Sequence, residues 1–317
     1  MADRELLSVI IRHYNGAHYL PPCFNALRTQ TYPHLEVILV DNGSTDESLA
    51  LTRRDFPEVK IIELGQNFGL TGAINRGIAQ AQGQIIAPLN NDTEVTPGWA
   101  QALVDALRIH PKAGIAASKM LLFDRRDTLH SAGDSFGADG IAINRGVWQK
   151  DTGQFDRDVY IFGGCGGAVA YRREMLEDIG LFDEDLFMYL EDVDLNWRAQ
   201  LAGYRAIFVP EAVVYHHLSA TGGGVIASFY TGRNTLLVLA KDLPGPIFRR
   251  YWPAIFRAQL KIALEALRAW RGEAARARLR GQLAGVWGLP KWLAKRKLVQ
   301  QKKRVNDTYL ESLLTSM

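Results

Sequence analysis

The chain has 317 residues, 47% of them apolar, enough for one large or two modest globular domains. It has no basic-then-apolar leader, no run near the roughly 18 apolar residues of a membrane span, and two cysteines without metal-ligand spacing, which excludes a disulfide framework, a Cys/His metal site and a membrane channel and leads us to expect a reducing, cytoplasmic setting. The net charge of +3 hides an asymmetry: residues 1–240 carry 20 Lys and Arg against 29 Asp and Glu, and residues 241–304 carry 17 against 3, so a mildly acidic body bears a basic tail that faces lipid, nucleic acid or solvent.

Residues 6–11, Leu-Leu-Ser-Val-Ile-Ile, read as a buried strand ending in the polar stretch Arg12-His13-Tyr14-Asn15-Gly16. Apolar groups at helical spacing (Tyr19, Leu20, Phe24, Leu27) predict a helix over 19–30, which Pro33 breaks. Val37-Ile38-Leu39-Val40 is a second buried strand, ending in Asp41-Asn42-Gly43-Ser44-Thr45-Asp46. Ser44 and Glu47 have capping-box spacing, which predicts a helix from there to about Asp55. A third strand is expected over 60–64, a polar turn at Asn67-Phe68-Gly69, a helix over 73–81 and a fourth strand over 85–89. That strand ends abruptly in Asn90-Asn91-Asp92.

Such alternation builds a parallel sheet with right-handed crossovers. The polar loops then gather at the carboxyl ends of the strands, where open α/β sheets bind ligands. Asp92 suits a divalent cation there, and Asn90 adds an oxygen for the cation or for a ligand hydroxyl. There is no GxGxxG after the first strand and no GxxxxGK[ST]. A bound nucleotide is therefore expected to be held by side chains and a metal.

Ser8-Val9-Ile10-Ile11 with Tyr14-Asn15, the 40–46 loop, Asn67-Phe68-Gly69 with Asn75-Arg76-Gly77, and Leu89-Asn90-Asn91-Asp92 occur in an order and spacing that resemble the family 2 glycosyltransferases of GT-A fold. Among these the chain looks most like the bacterial rhamnosyltransferase-type enzymes of cell-surface polysaccharide assembly. The resemblance runs to about residue 235 and implies a mostly parallel mixed sheet flanked by helices. It implies that Tyr14 and Asp41 hold the donor's base and ribose and that Asn67 lines the same pocket. It makes Asn90-Asn91-Asp92 the Asp-x-Asp element, with Asp92 reaching the Mn2+ or Mg2+ that bridges the donor diphosphate. Here the first position is Asn, which leaves less negative charge for the cation. Arg12 and His13 replace the family's usual Pro-Thr, which leaves Arg12 open between the base, a phosphate and plain surface.

A helix over 99–109 and a strand over 114–122 follow, then a Gly-rich stretch, 123–158, that reads as irregular. In Phe162-Gly163-Gly164-Cys165-Gly166-Gly167-Ala168 the glycines bring backbone close to a ligand or a neighbouring strand. The resemblance places this segment, with Gly164, beside the donor sugar, and Cys165 reads as a space-filler. Glu191 and Asp192 open a helix next to the apolar Phe187-Met188-Tyr189-Leu190, so this acidic pair adjoins buried surface. The resemblance makes Asp192 the general base and leaves Glu191 and Trp197 to shape the acceptor site. It also implies a metal-ligating His at Tyr215-His216-His217, taken as His216 with His217 in reserve. Arg233 suits a clamp on the diphosphate.

Phe256, Leu260, Leu264 and Leu267 predict an amphipathic helix within 247–270, flanked by Arg257, Lys261 and Arg268. Trp287, Leu289, Trp292 and Leu293 mix with lysines in an interfacial pattern. The tail is open between packing on the body and docking through 245–304 on a membrane, which a lipid-linked acceptor would favour. The chain thus divides into a catalytic domain, 1–240, and a helical basic extension, 241–317. The expected activity is inverting, metal-dependent transfer of a sugar, rhamnose by the resemblance, from a UDP- or dTDP-linked donor to a glycan or lipid-linked acceptor at the inner face of the plasma membrane. The alternatives are a nucleotidyltransferase-like enzyme, which lacks its phosphate loop here, and a nucleic-acid binder acting through the tail, which the acidic body disfavours.

Overall fold

The computed structural model describes residues 5–217 and 224–315. The first half alternates strands and helices: β1 (Leu7–His13), α1 (Leu20–Arg28), β2 (Leu35–Asp41), α2 (Ser48–Asp55), β3 (Lys60–Glu63), α3 (Gly69–Gln80) and β4 (Ile85–Asn90). β5 (Thr93–Val95), α4 (Trp99–Ile109) and β6 (Ala113–Leu122) follow. The 123–158 stretch, read from sequence as irregular, holds β7 (Leu129–Ser131), β8 (Asp134–Gly137) and β9 (Ala142–Asn144). Then come β10 (Tyr160–Ile161), β11 (Val169–Arg172), α5 (Arg173–Ile179), α6 (Glu191–Ala202) and β12 (Arg205–His216). The chain ends in α7 (Gly224–Asp242), α8 (Gly245–Arg268), α9 (Glu273–Gln301), α10 (Asp307–Ser312) and β13 (Leu314–Thr315).

The main sheet runs β10-β12-β6-β11-β4-β1-β2-β3, with β5 on β12 and β7 on β6. β1, β2, β3 and β4 are parallel, and β11 is inserted antiparallel between β4 and β6. Both faces are covered, which is why these strands are continuous apolar runs. Val9 and Ile11 pack with Leu103 and Leu107 of α4 on one face, while Ile10 packs with Ile74 and Ile78 of α3 on the other.

One element differs from the sequence expectation for a local reason. The expected capping box at Ser44 does not form: α2 starts at Ser48, with Glu47 before it and no side-chain cap. Ser44 Oγ accepts from Asn15 N instead, and Asp46 accepts from Gly16 N and Ala17 N, so this loop ties the end of β1 to that of β2. β12 is one strand with a register shift between Val209 and Val213. It therefore reaches past Pro210 and delivers His216 beside β5.

The line drawn at residue 240 falls inside α7. α7 and α9 approach closely at glycines: a Cβ on Gly281 would lie 2.1 Å from Phe229 O, and one on Gly232 2.6 Å from Arg278 O. Ile247, Trp292 and Leu310 of the extension share a core with Leu237 of α7 and with Phe136, Leu186 and Trp197 of the body. The extension thus packs on the body, and β13 pairs with β8. It still leaves Trp252, Phe256, Leu260, Leu264 and Leu267 exposed along α8 and Trp270 just beyond its end, and Trp287 on α9 is 84% exposed.

Candidate active site

At the carboxyl ends of β1 and β4, Arg12 pairs in register with Asn90, and His13 with Asp41. A cavity of about 370 Å³ opens there, lined by Arg12, Asn90, Asp92, Glu191, Asp192 and His216 among others. These six sequence candidates are brought together from β1, the β4–β5 turn, α6 and β12.

The hydrogen bonds around His216 fix its orientation. Arg12 Nη2 donates to Asn90 Oδ1 at 3.3 Å, which turns the Asn90 amide nitrogen towards His216 Nε2 at 3.4 Å. His216 Nε2 then accepts, so its proton sits on Nδ1, 3.2 Å from His130 Nδ1. Burial holds the His130 imidazole down to about 4, so it is neutral and can accept. His216 Nε2 and Asp92 Oδ1 are left facing each other at 3.3 Å, both as lone-pair bearers, and Asp92 Oδ1 is buried without a hydrogen-bond partner. That arrangement offers two unpaired ligand atoms of the kind a divalent cation takes. Among the described residues no group of three or more His, Cys, Asp or Glu forms a full protein cage. His217 turns away and stacks on Phe123, which decides between the two histidines on geometry.

The acids line the same cavity. Phe187, Tyr189 and Leu190 all have positive φ, between 64° and 66°, immediately before α6. Non-glycine residues in that region store strain of about 1–3 kcal/mol each and persist where surroundings hold them. Asn234 Nδ2 lies within 3.1 Å of the carbonyls of Leu186, Met188 and Tyr189, and Arg233 Nη2 donates to those of Asp185 and Leu186. The strained loop so held presents Glu191 and Asp192 to the cavity.

Asp192 Oδ2 accepts from Gly166 N at 2.8 Å. Burial raises its carboxyl above the ordinary range, and the backbone donors oppose this. Burial, then Asp192, push Glu191 up to about 8, and Glu191 Oε2 has no hydrogen-bond partner. Asp134, which the sequence reading missed, lines the same cavity, and burial followed by Asp192 and Glu191 hold it well above its usual value. Arg12 supplies opposing charge to Glu191 and Asp92. Burial keeps Cys165 a thiol, which suits its reading as a space-filler.

Asp41, Tyr14 and Asn67 lie outside this cavity's lining, at the ends of β1 and β2 and before α3. Asp41 Oδ2 accepts from Gly43 N and Ser44 N, while its Oδ1 is buried without a partner, a free acceptor for a ligand donor. Tyr14 is 48% exposed, and Asn67 Oδ1 accepts from Asn42 Nδ2 and Gly69 N.

Four further candidates do not line the cavity. Asn91 turns into the protein, where its Nδ2 donates to His13 Nδ1 at 2.8 Å, so it anchors the turn. Gly164 is a packing position, because a Cβ there would meet Val169 at 2.5 Å, and Gly166 and Gly167 line the cavity in its place. Trp197 is fully buried between Phe136 and Phe162. Arg233 spends its guanidinium on carbonyls of the loop before α6, which removes it from a diphosphate clamp. His130 and Asp134 were missed because both lie in the stretch without periodicity, and one His or Asp there carries no signal of its own.

The Glycosyl transferase family 2 profile matches residues 8–180. The N-acetylglucosaminyl-diphospho-decaprenol L-rhamnosyltransferase of Mycobacterium tuberculosis is 30% identical over 294 residues, covering 84% of this chain and 92% of that one. Among solved structures, GalNAc-T7 with UDP, GalNAc and Mn2+ is similar at TM-score 0.62 and 19% identity, over 75% of this chain and 48% of that one. A mannosyltransferase from Pyrobaculum calidifontis, solved with GDP-Man and Mn2+, is similar at TM-score 0.57 and 19% identity, over 95% and 86%. The two structures carry the fold, which is that of the GT-A glycosyltransferases. Fold, profile and relative agree, and the chain belongs to glycosyltransferase family 2.

Proposed function

We propose that this glycosyltransferase moves a sugar, with inversion, from a nucleoside-diphosphate donor to a hydroxyl of a lipid-linked glycan in cell-surface polysaccharide biosynthesis. The observation that carries the reading is that Asp192 and the Asp92–His216 pair line one cavity. Asp41, Tyr14 and Asn67 receive the base and ribose beside that cavity, and Asp41 Oδ1 is free to accept from a base N–H or a ribose hydroxyl. Asp92 and His216 would hold a divalent cation, Mn2+ or Mg2+, which when bound would supply positive charge against a leaving diphosphate. Gly166 and Gly167 let the donor sugar approach the backbone. Asp192, aimed by Gly166 N, takes the acceptor hydroxyl's proton, help typically worth about 10²–10⁴-fold. Glu191 and Asp134 keep protons beside it, so each can donate to a sugar hydroxyl.

The M. tuberculosis relative is named as a rhamnosyltransferase acting on an N-acetylglucosaminyl-diphospho lipid, which supports rhamnose as donor sugar and a lipid diphosphate in the acceptor. The exposed aromatic and leucine stripe of α8, with Arg249, Arg257, Lys261 and Arg268 on the same helix, supports peripheral docking on the inner membrane face. No described helix is long and apolar enough to cross a membrane.

The test is thermal unfolding with UDP, dTDP and GDP, each with and without Mn2+ or Mg2+. A ligand at a hundredfold excess over its Kd adds about 2.7 kcal/mol to stability. A metal-dependent shift with one nucleotide, lost in Asp92→Ala and kept in Asp192→Asn, supports the site and names the donor class. No shift with any of them sinks the donor site.

A further inference from the structure

A second cavity, of about 460 Å³, adjoins the first, and Ala142, Leu190 and Thr231 line both. Its far walls come from the extension: Ile262 and Ala266 on α8 and Arg278 on α9. It therefore runs from the acids at the start of α6 to the helix whose Leu260, Leu264 and Leu267 are exposed.

Arg278 is the unusual member of this lining. It is partly buried and, among the described residues, its guanidinium has no ion pair and no hydrogen bond. The other partly buried arginines of this region are occupied: Arg233 by carbonyls of Asp185 and Leu186, Arg296 by carbonyls of Ala240 and Leu243. Burial alone lowers Arg278 from its ordinary value, with no carboxylate close enough to raise it. Glu265, the one acid of the lining, is exposed and makes no ion pair with it. A cation kept half-dry and unpaired, in a cavity lined mainly by aliphatic side chains with Thr231 and Thr235, is an unmet demand for an anion.

We propose that this second cavity seats the lipid end of the acceptor: an apolar chain along Ile262 and Ala266, with its phosphate at Arg278. The proposal rests on the glycosyltransferase reading and specifies its acceptor. The extension then has a catalytic purpose, because α8 offers one face to the cavity and another to the bilayer from which the lipid enters. A sugar linked to the phosphate reaches past Leu190 and Thr231 into the first cavity, where Asp192 stands.

The test is calorimetric titration of the full chain with farnesyl diphosphate, farnesol, inorganic pyrophosphate and dihexanoyl-phosphatidylglycerol, with UDP titrated separately. Farnesyl diphosphate is expected to bind more tightly than farnesol or pyrophosphate. Arg278→Ala should weaken it by about tenfold or more, the worth of a charge-assisted contact, and leave farnesol unchanged. Ala266→Trp should fill the cavity and abolish both, while UDP binding stays at the wild-type value and shows that each variant is folded. If Ala266→Trp does not fold, Ile262→Phe takes its place. Farnesyl diphosphate binding that ignores both substitutions, or that UDP displaces, overturns the proposal. Equal binding of the phosphatidylglycerol assigns the cavity to membrane phospholipid and overturns it too. Loss of UDP binding in the wild type would count against the donor site and leave the farnesyl diphosphate result to be read separately.

Discussion

His216 Nε2 stands 3.3 Å from Asp92 Oδ1, brought there because β12 pairs antiparallel with β5 directly after the 90–92 turn. Under the proposed function the two would hold the cation, and Asp192 lines the same cavity.

Replacing either member should separate nucleotide binding from folding. Asp92→Asn or His216→Ala is expected to abolish the Mn2+-dependent part of the nucleotide's thermal shift, about 2.7 kcal/mol at a hundredfold excess over Kd. Differential scanning fluorimetry with and without Mn2+ checks it. Retention of the full shift in both variants would remove the pair from the cation site.

Asp192→Asn keeps shape and loses basicity. Its kcat should fall by about 10²–10⁴-fold, while donor affinity changes little. Because burial raises the Asp192 carboxyl, the rising limb of log kcat against pH should lie above the ordinary aspartate range. Steady-state rates across pH, with donor affinity measured alongside, read both effects.

Glu191 makes a stability prediction with a definite sign. Its carboxyl is pushed from an ordinary 4.5 to about 8 in the folded chain. Between those values the folded state holds a proton that the unfolded state has released, so the contribution of Glu191 to stability falls as pH rises through that window. Glu191→Gln removes the titration. It should leave the melting temperature nearly unchanged at pH 4 and raise it relative to wild type at pH 8. Parallel melting curves for the two proteins would expose an ordinary, solvated Glu191.

Asn234 holds the strained loop before α6 through three carbonyls. Asn234→Ala leaves the Met188 and Tyr189 carbonyls without their side-chain donor, while that of Leu186 keeps Arg233 Nη2, at a cost of about 1–3 kcal/mol. Since the loop aims Glu191 and Asp192, kcat should fall as well, with nucleotide binding at Asp92 kept. A variant with reduced stability and full kcat would show that the loop orders itself.

Trp197 separates core from acceptor site. Trp197→Ala should cost about 3–5 kcal/mol, the range for a fully buried aromatic, with residual activity unchanged in acceptor preference. Denaturant unfolding and an acceptor panel decide; an altered preference with native stability would return Trp197 to the acceptor site.

The parallel half of the fold was legible because a strand covered on both faces must be a continuous apolar run, as in 6–11, 37–40 and 85–89, and because each such run ends in a polar loop at the same sheet edge. The sequence by itself thus determined the sheet, its ligand-binding edge, the family, and the acids at the start of α6. Only the tertiary structure decided what those groups face. Asn91 and Trp197 have the right chemistry for a site, yet one anchors a turn and the other fills a core, because packing chooses which side of an element meets the cavity. His130 and Asp134 sit in a stretch without periodicity and reach the site through β7 and β8, and β8 is held by partners distant in sequence, Asp134 bridging to Gly163 and Phe136 pairing with Leu314. The second cavity exists because α8 and α9 fold back over β9 and α7, closing a space that neither half of the chain encloses alone.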